Sequence, residues 1–137
     1  MNRMMLTICA TAALTTTALA QSDMAPGVTA SDQDLSNGIV SADAVMAQEN
    51  GWLVVHRTDA EMAPGPVVGY APIRAGTTDD VAVILQEDVA SGDMLMLMVH
   101  SEAGGSQTGI FEYTLGATED GPIRVDEQLV MQTITAQ

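Results

Sequence analysis

Two short stretches hold the residue types most able to do chemistry. "MLMLMVH" (94–100) sets three methionines and a histidine at every second position, and "WLVVHR" (52–57) is a second apolar run ending in Val-His. In an extended chain alternate side chains share a face. Met94, Met96, Met98 and His100 then face one way, and Leu95, Leu97 and Val99 the other. Likewise Trp52, Val54 and His56 oppose Leu53, Val55 and Arg57. Thioether and imidazole ligands suit copper, Cu(I) above all. Side chains two apart on a strand are about 6.6–6.8 Å apart, so Met98 and His100 can reach one ion, and His56 can join them if the two Val-His runs are neighbours. The metal-ligand set this spacing suggests is His56, Met96, Met98 and His100. A plainer reading uses the same residues as packing. Methionine fills irregular cores, a histidine at a strand end is commonly hydrogen-bonded structure, and on that reading the protein holds no cofactor.

Other chemistries find little support. No serine sits in a G-x-S-x-G elbow. No glycine-rich phosphate loop leads into a helix. No loop follows the D-x-[DN]-x-[DN]-G calcium pattern. With 18 acids and two histidines, triads and carboxylate pairs can be drawn anywhere, so the sequence selects none. Glu112, alternating with Phe111 and Tyr113, is expected to face solvent, Arg74 or Arg124. No catalytic residue is assigned, and the expectation is a protein that is not an enzyme.

The elements that position the histidines begin after an export signal. "MNRMMLTICATAALTTTALA" has a positive start, a short apolar run and an Ala-Leu-Ala cleavage site, so residues 1–20 read as a signal peptide. The apolar run is too short to span a bilayer. Cys9, the single cysteine, leaves with it, which removes disulfides and the cysteine of a blue-copper site. The exported chain of 117 residues keeps three arginines, no lysine and 18 acids, a net charge of −15. Such a surface repels nucleic acid and anionic lipid. The expected location is the periplasm or the extracellular space, with a protein or cell-surface partner and no transmembrane segment.

Residues 21–36 lack periodicity and read as a flexible leader. From 37 to 137 short apolar runs alternate with turn signals every eight to twelve residues, the rhythm of an all-β sandwich or barrel. The runs are 38–47, 52–57, 66–73, 80–85, 94–100, 109–115 and 129–135, with a short edge strand at 122–125. Asn50-Gly51 reads as a hairpin turn between the first two. The predicted core is Val40, Val45, Leu53, Val55, Val68, Val81, Val83, Leu85, Leu95, Leu97, Val99, Phe111, Val130 and Ile134. Runs 52–57 and 94–100 are apolar on both faces. One face packs the core, and the other needs a loop, the leader or a partner to cover it.

Val55-His56, "GPVVGY" (65–70), the segment from Gly76 to Leu85, "MVH" (98–100) and "FEY…DGPI" occur in an order that resembles an uncharacterised domain family. That family is found in surface proteins of salt-loving archaea and exported proteins of marine bacteria. The resemblance spans residues 38–135. It implies a secreted, immunoglobulin-like antiparallel β-sandwich of seven to eight strands with no assigned activity. Members often carry aspartate two residues after the second histidine; Glu102 stands there in this chain. The combined expectation is an exported, non-enzymatic binding or interaction module acting through a loop end or an exposed sheet face. The alternative is a periplasmic protein that binds copper or another metal through its Met and His ligands.

Overall fold

The computed structural model of the chain describes residues 24–137. The signal peptide expected over 1–20, and Cys9 with it, lie outside the described residues. Within them the chain forms β1 (Gly27–Thr29), β2 (Ile39–Ala47), β3 (Gly51–Thr58), β4 (Val67–Ile73) and β5 (Gly76–Ile84). There follow β6 (Met94–Ser101), β7 (Arg124–Val125), β8 (Gln128–Leu129) and β9 (Met131–Thr135). No helix is long and apolar enough to cross a membrane among the described residues. The all-β expectation holds.

Two antiparallel sheets, β1-β2-β5 and β4-β3-β6-β9, enclose the core, and β7-β8 is a small ribbon. Leu53, Val55, Leu95, Leu97 and Val99 from the larger sheet meet Val40, Ala42, Val45, Val81 and Val83 from the smaller one, all buried. The valine and leucine side chains among these, taken out of water, contribute about 1.5–3 kcal/mol each. Every predicted core residue lies in this layer except Phe111. That ring packs on the opposite face of the larger sheet, against Trp52 and Tyr70.

Three expectations change. Residues 27–29 of the supposed leader pair with Ala44–Met46 of β2, and Leu35 is in the core, so the sandwich begins well before residue 37. Residues 109–115 form no strand. They belong to a long connection after β6, laid across the outer face of the larger sheet. Finally, Asn50-Gly51 does not close a hairpin, because β2 and β3 lie in different sheets. Asn50 instead caps the next corner, its Oδ1 accepting the Ala75 N–H at 2.9 Å. Gly51 is required by close approach: a Cβ there would overlap the His100 carbonyl oxygen.

Candidate metal centre

β3 and β6 are central neighbours, so the two Val-His runs lie side by side. Their register pairs Trp52 with His100, Val54 with Met98 and His56 with Met96. Opposed residues of an antiparallel pair share a face, so all four predicted ligands stand on the outer face of the larger sheet. Each is sealed from solvent, His56, His100 and Met96 at 0 % exposure and Met98 at 1 %. The cover is the chain itself. The 102–123 connection brings Tyr113 against His100, ring centroids 4.6 Å apart, and against His56 at 5.9 Å. It also places Phe111 6.2 Å from His100. Trp52, Tyr70, Phe111 and Tyr113 are all the aromatic residues of the chain, and with the two histidines they form one cluster.

The imidazoles reach toward each other along the sheet, over the level of Val54 and Met98. Their Nε2 atoms are 3.3 Å apart. Since the ring centroids are only 5.4 Å apart at an interplanar angle of 28°, most of that span is the nitrogen–nitrogen gap. The rings meet tip to tip rather than face to face.

The far nitrogens decide the tautomers. His56 Nδ1 lies 2.8 Å from the Gly65 carbonyl oxygen, and His100 Nδ1 lies 2.7 Å from that of Asp120. A carbonyl only accepts, so each Nδ1 carries the proton and donates it. In the neutral rings both Nε2 atoms are then bare lone pairs pointed at one another, with no donor between them. Burial pushes the His56 imidazole below its ordinary value. It pushes His100 down to about 4, and the neighbouring His56 adds to that shift. At neutral pH the pair is uncharged and its two acceptors are unsatisfied.

Backbone carbonyls that fix ring orientation through Nδ1 are the usual outer support of a metal-ligating histidine. Two loops supply them. The 59–66 loop folds back on β3 by Gly65 N–H to the Arg57 carbonyl at 2.7 Å. The 102–123 connection is held by Asp120, which is fully buried at positive φ (45°). Its carboxylate accepts the Ala103 N–H at 3.1 Å and the Glu112 N–H at 2.8 Å, so the negative charge is spent on the loop and not turned to the histidines. Glu112 accepts from Ser106 Oγ and the Gln107 N–H rather than from an arginine.

Nothing in the sequence pointed to Asp120, Gly65 or the two loop aromatics as partners of the histidines. The rarity of aromatic residues was the available signal, since four rings in 137 residues are enough for one cluster. Among the described residues no set of three or more His, Cys, Asp or Glu side chains converges. Met96 and Met98 are the two remaining predicted ligands, and the strand register sets them on the same face as the histidines.

Residues 26–137 match a family described as a domain of unknown function, DUF7282. The chain belongs to this family. The DUF7282 match begins just ahead of β1 and so takes in the strand that the supposed leader contributes. No curated protein and no solved structure matches the chain.

Proposed function

We propose that this DUF7282 domain is an exported, non-enzymatic binding module whose ligand is a soft, singly charged metal ion, Cu(I), held between His56 and His100. The observation that carries the reading is the pair of bare Nε2 atoms 3.3 Å apart, each ring fixed through Nδ1 by a carbonyl. An ion about 2.0–2.1 Å from both nitrogens, the usual distance for a metal–imidazole bond, sits off their line at an angle of roughly 105–110°. That angle leaves room for a third ligand. Met98 is its source, because the register puts Met98 midway between the levels of the two histidines; Met96 is the reserve.

Charge selects the ion. The cost of burying an ion rises with the square of its charge, and neutral imidazoles and thioethers do nothing to offset a second unit. A divalent ion would call for a carboxylate, and that of Asp120, whose carbonyl holds His100, is committed to backbone N–H groups. Strand order supports the immunoglobulin-like reading. Lettered in chain order, the sheets are A-B-E and C′-C-F-G, the arrangement of that class with a C′ strand on its second sheet.

The test is competition for Cu(I), Cu(II) and Zn(II) against chelators, on the protein and on His56→Ala/His100→Ala. Stoichiometric Cu(I) binding, lost in the double variant and weakened by Met98→Leu, is the expected result. Equal, weak uptake by all variants would leave the cluster as packing.

A further inference from the structure

A cavity of about 520 Å³ opens at one end of the sandwich, next to the aromatic cluster. The β2–β3 corner, the end of β4, β5 and the 102–123 connection all contribute to it, through Trp52, Arg74, Thr78, Glu102 and their neighbours. Its size falls in the range of small-molecule sites, about 300–1,000 Å³. Two polar atoms of its lining residues, Trp52 Nε1 and Thr78 Oγ1, are buried and have no hydrogen-bond partner. Both atoms are closed to solvent, so the charged residues of the lining and the indole face, not these atoms, meet a ligand in the cavity.

The charges are also unmatched. Arg57 is locked to Glu87 and Asp93 at 2.7 and 2.6 Å, and Arg124 donates to the Glu127 carbonyl. Arg74 alone has neither an ion pair nor a hydrogen bond among the described residues. Arg74 is exposed and lines the cavity, so its guanidinium is open to an anion there. Glu102 lines the same cavity and does not pair with it.

We propose that this cavity binds a zwitterion with an apolar body, carrying the charge pattern of a free α-amino acid. The ligand carboxylate meets Arg74, its ammonium meets Glu102, and its apolar part lies against the Trp52 indole and Ile73. A carboxylate suits the fork of a guanidinium. Opposite charges on one small cavity favour a molecule carrying both over one carrying either. The site is separate from the histidine pair and does not depend on it.

Trp52 is the only tryptophan, so its emission reads occupancy directly. The protein is titrated with L-leucine, with 4-methylpentanoate, which lacks the ammonium, and with 3-methylbutylamine, which lacks the carboxylate. Leucine should give a saturable change and bind about tenfold or more tighter than either analogue, the equivalent of one lost charge contact. Arg74→Gln should abolish the advantage of leucine over the amine, and Glu102→Gln its advantage over the carboxylate, with thermal unfolding of both variants confirming the fold. No saturable change with leucine, or equal binding of all three probes, would overturn the proposal. Loss of leucine binding in His56→Ala/His100→Ala with Trp52 still buried would refute the independence of the two sites.

Discussion

Mild acid should weaken this protein between pH 7 and pH 5, and His100 is the leading reason. Its imidazole titrates near 6.5 in an unfolded chain and is pushed down to about 4 in the fold. Between those values the unfolded state binds a proton that the native state refuses, so stability rises with pH across the window and is complete above about 6.5. Each unit is about 1.4 kcal/mol, which makes the full effect about 3 kcal/mol and the part between pH 7 and pH 5 about 2 kcal/mol. His56 shifts in the same direction and adds to it. Burial is the leading cause for both rings. No carboxylate offsets it, since the Asp120 side chain is taken by Ala103 and Glu112.

The assay is urea unfolding of the metal-free protein at half-unit steps from pH 7.5 to pH 5. A loss of 2 kcal/mol moves the midpoint by about 1 M at the slope ordinary for a domain of this size. The three carboxylates whose titration is shifted do not confuse this window. Asp34, Asp93 and Glu112 all titrate below their ordinary values, so their stabilising effect is full above those values and fades only at lower pH. Saturating Cu(I) should flatten the curve, because an occupied Nε2 pair takes no proton. A midpoint that is constant from pH 7 to pH 5, or that rises as pH falls, would refute the reasoning. The second outcome would mean that the pair shares a proton in the native state.

Two further outcomes follow from the supports of the site. Asp120→Ala removes the acceptor of two loop N–H groups and should lower stability by about 2–3 kcal/mol in urea unfolding, with Cu(I) affinity falling alongside as the Asp120 carbonyl loses its fixed place over His100. Gly51→Ala sets a methyl group against the His100 carbonyl oxygen. It should cost about 1–3 kcal/mol, and amide exchange should quicken first at the paired residues Gly51 and Ser101, where β3 and β6 are forced apart.

Much of the sandwich was legible because period-two alternation is a direct record of burial. β2, β3, β4, β6 and β9 fall where apolar runs meet turn residues, and the core lies along the odd-numbered side of β3 and β6. Alternation misled where burial had another source. "GIFEYTL" alternates, yet it is a lid: Phe111 and Tyr113 turn down onto rings of the sheet while Glu112 serves the loop. Residues 27–29 carry no alternating signal because three residues at a sheet edge are too few to show one. Asn50-Gly51 has the residues of a tight turn, but one strand of an intended pair goes to each sheet, and only tertiary packing decides that. The convergence of His56 and His100 was legible only as a condition on neighbouring strands. The carbonyls of Gly65 and Asp120, which make the nitrogens bare, belong to loops whose path is not written in any local pattern.

The two-faced apolarity of β3 and β6 now has a cause besides a missing partner. A sheet face that only needed cover could be apolar throughout, and a loop with two leucines would close it. This face instead carries two imidazoles, costly to bury and held so that neither can satisfy the other. At 3.3 Å their separation exceeds the usual span of an N–H hydrogen bond, about 2.7–3.2 Å, and falls short of the roughly 4 Å that a linear two-coordinate ion would impose. It suits a bent bridge with a third contact. Packing alone would favour replacing both rings by leucine or methionine, since an apolar pair of similar volume removes the unsatisfied acceptors at little loss of contact. That gives a direct discriminator. If His56→Leu/His100→Leu raises stability at pH 7 while abolishing Cu(I) uptake, the histidines are kept for binding at the expense of the fold. If the substitution destabilises the domain and copper never bound, they are the core's own solution.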